Sequence, residues 1–547
     1  MTAATSPARP FLPEERPLFP GSPYSPAHAP ARRVAFAVAG VSVGVMVNLG
    51  NGIVIANVPV LAGAANDYVS AAAFLTGIYI AFNASANLVL VKARTQFGIP
   101  RVTLLLLTSY VLAALLLWLK PSLAAAIVLS AASGLTAAGL TTLAVYYSMQ
   151  SLPAKVKPLG LIIGIGAVQL GTPLARLFPV DLLAQGGWST LAALQLSIAL
   201  VAVTIILACP LPPSERSKAF ELLDGVTFAL ILLANLCLCI VLAQGRLLWW
   251  HDTPWLGWVL AACIPLYAGA LALEYERENP LLRLRWYGTR VIASFVAVAV
   301  VVRLALSEQS YGSVGLLSFA GLDNDQFHTL YACILVAEIL GIIIAIATTR
   351  VGSQPYQVMA AGLIIACAAW LDSGSNNLTR PDNLIMTQSL IALGTTLFIG
   401  PALVYGAAQM LKQGSTHLVS LVVMFSMTQN IGGLAGSALL GSYQVVRAKV
   451  HAAALADGLA VGDPMVAERI KQGAGALAAT IQDPSQRVAQ GAGLLGDALA
   501  REAAILGFND AFILVSLVAL AGALFPAIII IRSKIVARRS PRKGVPQ

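Results

Sequence analysis

The chain is poor in charge. Its 547 residues include 34 Lys and Arg and 24 Asp and Glu, 11% in all, less than half of the roughly 25% found in an ordinary soluble domain. A water-soluble protein of this length needs a charged skin. Soluble enzymes, nucleic-acid binders and disordered chains are therefore excluded. No Gly-x-x-x-x-Gly-Lys-Ser/Thr loop is present to cradle a nucleotide, so the chain has no ATP engine of its own. The five histidines, His28, His251, His328, His417 and His451, are scattered and suggest no metal site. The six cysteines, Cys209, Cys237, Cys239, Cys263, Cys333 and Cys367, lie in apolar runs without pairing or zinc spacing and read as small packing residues. No nucleophile–base constellation appears, so an enzyme is not expected, and no cofactor is implied.

What is abundant is apolar sequence. Hydrophobic residues make up 58% and mean hydropathy is +0.80. The first 33 residues carry eight prolines and read as a disordered cytoplasmic tail, 1–33. Apolar runs long enough to cross a bilayer follow at 34–61, 69–91, 102–119, 122–149, 159–179, 189–210, 222–245, 255–273, 291–314, 329–348, 355–371, 384–410, 418–443 and 507–532. The expected fold is an all-α integral membrane protein with fourteen transmembrane helices. The stretch 444–506 between the last two spans is polar and Ala-rich. Asp463-Pro464 and Asp483-Pro484 read there as N-cap and first helical residue, predicting two or three short helices. This segment is a solvated hairpin or a docking surface for a partner. A basic tail, 533–547, closes the chain.

Basic residues set the orientation. With the N-terminus in the cytoplasm, 23 of the 34 fall on the inner side, three (Lys120, Arg246, Arg380) in short outer loops, six in 444–506 and two in the bilayer. Both termini are thus expected in the cytoplasm, in a cell inner or plasma membrane. The net charge of +10 is a topology signal and points to no nucleic-acid partner.

A charge at mid-membrane costs at least about 2.5–3.5 kcal/mol on insertion scales, so each needs a reason. Four stand out: Arg176 in span 5, Arg303 and Glu308 in span 9, and Glu338 in span 10. Glu338, Glu308 and Arg303 are candidates for proton coupling; the bland alternative is a fixed ion pair such as Arg303 with Glu338. Asn48 and Asn51 in span 1 share a helical face with Asn57, and Asn83 and Asn87 in span 2 share another. With Arg176, Gln309 and Gln429 they are candidates for a substrate cavity, or else they join helices. Gly40/Gly44, Gly160/Gly164 and Gly432/Gly436 are small-residue pairs that let helices approach closely. Gly171-Thr172-Pro173 and Gly400-Pro401 should kink spans 5 and 12.

Several motifs point to a family. Asp224-Gly225 opens span 7, Leu242-Ala243-Gln244-Gly245 with Trp250, Asp252 and Pro254 follows it, and Glu278-Asn279-Pro280-Leu281 precedes span 9. Gln429-Asn430-Ile431-Gly432-Gly433 with Gly436, Arg447 and His451 marks span 13, and Asn509-Asp510-Ala511-Phe512 opens span 14. With the fourteen spans and the long loop before the last, this resembles the 14-span drug:H+ antiporter family of the major facilitator superfamily. The resemblance implies a major facilitator fold: an N-terminal six-helix half at 34–210, two inserted helices and a linker at 211–290, and a C-terminal six-helix half at 291–532 that contains the outer segment 444–506. It also implies that spans 5, 9 and 10 line or gate a cavity. The first half departs from the pattern. No acid lies between Arg33 and Asp67, Thr95-Gln96-Phe97-Gly98-Ile99-Pro100-Arg101 keeps only a Gly and one Arg of the usual loop, and no Arg flanks Gly134. Any coupling must then rest on Glu308 and Glu338.

The resulting expectation is a secondary transporter driven by the proton gradient, exporting drugs or toxic amphipathic small molecules across the bilayer. The resemblance implies possible partners in a periplasmic adaptor and an outer-membrane channel. The alternatives are a dedicated carrier of one metabolite or siderophore and, from another class, a membrane receptor or scaffold that has lost coupling.

Overall fold

The computed structural model describes residues 15–17, 19, 21–64, 69–460 and 462–539. Among them are nineteen α-helices and, outside helices and turns, one isolated antiparallel bridge between Pro23 and Ser214. The first half contains α1 (Pro30–Ala56), α2 (Val58–Ala64), α3 (Val69–Phe97), α4 (Ile99–Leu119), α5 (Leu123–Ser151), α6 (Leu159–Gln169), α7 (Gly171–Ala175) and α8 (Val180–Ala208). Then come α9 (Leu222–Gly245), α10 (Pro254–Tyr275) and the short α11 (Leu284–Tyr287). The second half contains α12 (Arg290–Ala305), α13 (Ser313–Phe319), α14 (His328–Thr348), α15 (Gln354–Asp372), α16 (Pro381–Gln413), α17 (Leu418–Asp457), α18 (Pro464–Ala476) and α19 (Pro484–Arg539). Thirteen helical runs are long and apolar enough to cross a membrane, and the interrupted run Leu159–Ala175 supplies the fourteenth crossing.

Sequence fixes the helix ends. Proline stands in the first turn of α1, α4, α10, α15, α16 and α18, where its missing N–H costs nothing. Ser122 caps α5 by accepting from Ala125 N at 3.2 Å, and Asp463 caps α18 by accepting from Met465 N at 2.8 Å. Gly98, at φ +86°, joins α3 to α4 in a conformation that a side chain would strain.

The packing forms two bundles. In the first, α1 lies against α5, α6 and α8, and α4 against α5 and α8. In the second, α14 packs on α16, α15 on α16 and α19, and α17 on α12 and α19. The bundles meet where α3 touches α17 and where α6 touches α14 and α16. The pair α9–α10 is attached beside this seam through α9, which lies mainly against α3 and also touches α17. Trp258 and Ile264 on α10 are more than 70% exposed, as suits a face turned to lipid. Close approach follows the small residues. A Cβ on Gly44 would stand 2.6 Å from Ala167 Cβ of α6, and one on Gly164 would stand 2.5 Å from Val145 Cα of α5.

Two expectations change. Within the tail 1–33, residues 21–29 are docked and 30–33 are already helix. Tyr24 OH donates to Glu215 Oε1 at 2.9 Å, Gln150 Nε2 donates to Tyr24 O at 2.8 Å, and His28 shares a 2.9 Å hydrogen bond with Gln150. Phe19 and Ser22 are buried. Extended, proline-rich chain has few N–H groups to satisfy, so it can line the helix ends cheaply. Residues 1–14 lie outside the described residues. In the segment 444–506, only α18 is a separate helix. On either side the spanning helices carry on, to Asp457 in α17 and from Pro484 in α19, and short turns join them to α18. At 1.5 Å per residue the 40 residues of α17 are about 60 Å long, roughly twice the hydrocarbon core. The two helices and α18 therefore project well beyond the bundle. The tail 533–547 is likewise helical as far as Arg539, and 540–547 lie outside the described residues.

Candidate functional site

A chamber of about 500 Å³ lies between the two bundles. Asn48 and Asn51 reach its wall from α1, Asn83 and Asn87 from α3, and Arg176 from the C-terminal end of α7. From the second bundle come Arg303 on α12, Gln309, Glu338 on α14 and Gln429 on α17. Nine of the ten residues singled out in the sequence thus share one wall. The tenth, Glu308, points away from it.

The span containing Glu308 explains the split. Between α12 and α13 the helix widens into a π-turn over Glu308–Gly312. The extra residue rotates Gln309, Ser310 and Tyr311 toward the chamber and buries Glu308 against α16. There Gln388 Nε2 donates to Glu308 Oε1 and to Asp372 Oδ2, both at 2.8 Å, while Ser313 donates to Gln388 Oε1 at 3.2 Å. One amide thus ties two buried carboxyls, from the π-turn and the end of α15, to α16.

On the wall itself, Arg303 and Glu338 form no ion pair. Arg303 Nε donates to the backbone carbonyl of Gln429 at 2.8 Å. Its guanidinium lies on the Gly432-Gly433 face of α17, where a Cβ on Gly433 would stand 2.3 Å from Nη2. The Gly-Gly of the span 13 motif is therefore a seat for this arginine. Gly436, one turn on, accepts Ser307 in the same way. Glu338 is 4% exposed, and its Oε2 has no hydrogen-bond partner. Arg176 donates through Nη1 to Asn324 Oδ1 at 3.2 Å, receives Asn324 Nδ2 on its own carbonyl at 3.0 Å, and lies over the Tyr331 ring. With Val180 N donating to Asp325 Oδ1 at 2.9 Å, this latches the bundles at the end of the chamber farthest from the N-terminal segment. Asn48 has a joining role, donating to Val168 O of α6 at 2.9 Å.

Sequence reasoning missed four residues. Arg94, counted with the cytoplasmic loop after span 2, is 3% exposed and lines the chamber, with Nη2 unpartnered. Its signal was legible: Asn83, Asn87 and Arg94 are spaced four and seven apart, which continues one helical face. Asp372 and Gln388 gave no signal, because their meeting with Glu308 depends wholly on tertiary packing. Phe19 of the docked N-terminal segment also lines the chamber, opposite the latch.

Other motif residues hold the frame. Asp224 is fully buried and accepts Lys92 Nζ at 2.9 Å and Arg277 Nη2 at 2.7 Å. Arg277 reaches Glu221 at 2.8 Å and Glu274 at 2.6 Å, and Glu274 also receives the amides of Leu281 and Leu282. This network ties α9 and α10 to α3. The Arg277 guanidinium holds the Glu221 carboxyl below the ordinary carboxylate range. Arg447 and His451 both meet Asp510, clamping α17 to α19 away from the chamber.

This arrangement of helices is shared with solved structures. The human organic anion transporter MFSD10 aligns over 90% of this chain and all of its own, at 12% identity and a TM-score of 0.51. A bacterial homologue of the human drug peptide transporters PepT1 and PepT2 aligns over 92% of this chain and 99% of its own, at 13% identity and a TM-score of 0.53. The POT family transporter PepTSo gives 14% identity and a TM-score of 0.52 over the same shares. The fold is the major facilitator fold. At these identities the likeness concerns the fold alone. No family model and no curated protein matches the sequence.

Proposed function

We propose that the chain is a secondary active transporter that carries a small molecule through the chamber by alternating access, coupled to protons. The observation that carries this reading is Glu338, a carboxyl without an ion partner on the wall of a chamber built by both bundles. A proton arriving at or leaving such a group changes the chamber's charge by a whole unit, and with it the hold on a charged substrate. Rocking of the two halves about a midplane site is the motion this fold permits. Here it requires the Arg176–Asn324 latch to open. A proton driven by 100 mV supplies about 2.3 kcal/mol per cycle. The basic-residue distribution supports an inner or plasma membrane location with both termini in the cytoplasm.

The span count and the second-half motifs support export of toxic amphipathic compounds as the task. In that role the α17–α18–α19 projection is the surface that would meet a periplasmic adaptor, and co-purification with and without α18 tests it. The missing first-half motifs favour the second reading, a dedicated carrier for a narrow substrate class.

The test is a proteoliposome assay under an imposed pH gradient. We expect Glu338→Gln to abolish uphill movement while exchange down a substrate gradient persists. Uphill transport at the wild-type level in Glu338→Gln would remove the basis of the reading.

A further inference from the structure

Resting on the reading of the chamber as the substrate site, we infer that its substrate is an organic anion with an apolar or aromatic body. The formal charges on the wall are Arg94, Arg176, Arg303 and Glu338: three guanidinium cations against one carboxyl, with no Lys, His or Asp among the described lining residues. No carboxylate pairs with any of the three arginines among the described residues. Arg94 and Arg176 are at least nine-tenths buried, and Arg94 Nη2 has no partner. Arg303 is bonded only through Nε, which leaves both Nη groups without a protein acceptor.

A guanidinium does not lose its charge in a protein. Three of them along one chamber form an uncompensated series that Glu338 offsets only in part. At the corner of α3, α9 and α10 the same chain sets acids against its cations, and Lys92 and Arg277 meet three carboxylates there. The missing acids in the chamber are thus a local feature, and an anionic substrate would complete the set. Carboxylate, sulfonate and phosphate oxygens match the paired donors of a guanidinium. The arginines are also spaced along the path. Arg176 sits at the latched end, Arg303 between the bundles, and Arg94 toward Phe19. An anion can then pass from one guanidinium to the next. The rest of the wall sets the body of the molecule: Tyr79, Tyr146, Tyr311, Tyr331 and Phe425 offer aromatic faces. About 500 Å³ is within the usual range for a drug-sized ligand.

The experiment compares three probes that share one body and differ in fixed charge: a naphthalene sulfonate, the matching neutral sulfonamide and a naphthyl trimethylammonium. Binding to the purified full-length protein is measured by calorimetry, and movement in proteoliposomes by fluorescence. The sulfonate should bind at least about tenfold more tightly than either other probe, the worth of one charge-assisted hydrogen bond. Arg303→Gln and Arg94→Gln should each remove that preference, and Arg303→Lys should restore part of it. Equal binding of all three, a preference for the ammonium, or no binding of any would each overturn the inference. A sulfonate that binds first but never moves under any imposed gradient would leave the anion site standing and defeat the transport reading instead.

Discussion

Adding one methyl group at Gly433 tests how the second bundle presents Arg303. In Gly433→Ala the new Cβ would lie 2.3 Å from Nη2, 2.8 Å from Cζ and 3.0 Å from Nε of Arg303. The guanidinium must retreat by about 1 Å to reach ordinary contact, which pulls Nε from the Gln429 carbonyl it now meets at 2.8 Å. Overpacking costs about 1–3 kcal/mol, and a hydrogen bond to a charged group contributes about 1.5–3 kcal/mol. The guanidinium is the free end of a flexible side chain facing a chamber, so the expected loss is about 1–3 kcal/mol rather than the sum. Thermal unfolding of the purified protein should therefore register a lower midpoint, and affinity for the naphthalene sulfonate should fall together with it. The decisive comparison is a double-mutant cycle with Arg303→Lys. Lysine lacks the forked head that the methyl displaces, so in that background Gly433→Ala should cost less than about 0.5 kcal/mol, an ordinary small effect. The coupling energy should then be about 1–2 kcal/mol. Equal costs in both backgrounds, or no effect on either readout, would refute the seat.

Three further outcomes follow from the same contacts. Asp224→Asn leaves Lys92 and Arg277 short of a buried partner and should cost about 3–5 kcal/mol in unfolding experiments, whereas the apolar double variant Lys92→Met/Asp224→Leu should recover most of it; additive losses would contradict the network. In the same corner, the lowered Glu221 carboxyl contributes stability that is present above the ordinary carboxylate pKa and lost as pH falls through its lowered value. An acid titration of the wild-type melting point should therefore fall more steeply than that of Glu221→Gln. Gln388→Leu removes the donor shared by Glu308 and Asp372 and should lower stability by about 3 kcal/mol. An unchanged melting point would show that the two carboxyls do not depend on it.

Much of the fold is legible in the chain because the bilayer leaves so little choice. Backbone groups in lipid must be satisfied within each segment, so long apolar runs become helices whatever their neighbours do. The rare charges then mark positions with a special reason. Spacing along one helix also carries far: Asn83 and Asn87 were found that way, and Arg94 belonged to the same face. The span 13 glycines were visible as a motif, although their purpose as a seat for Arg303 was not.

Tertiary structure alone decided the rest. Arg303 and Glu338 were equally good as an ion pair on paper, and only the packing of α12 on α17 sends the guanidinium to a backbone carbonyl instead. The π-turn separates Glu308 from its neighbour Gln309 and joins it to Asp372 and Gln388. Such meetings depend on how helices far apart in sequence lie against each other, and no periodicity records that. Apolar length and charge placement, set by the cost of desolvation, determined that this chain crosses a membrane many times; the contacts between the bundles decided which of its few charges face one another and which face the chamber.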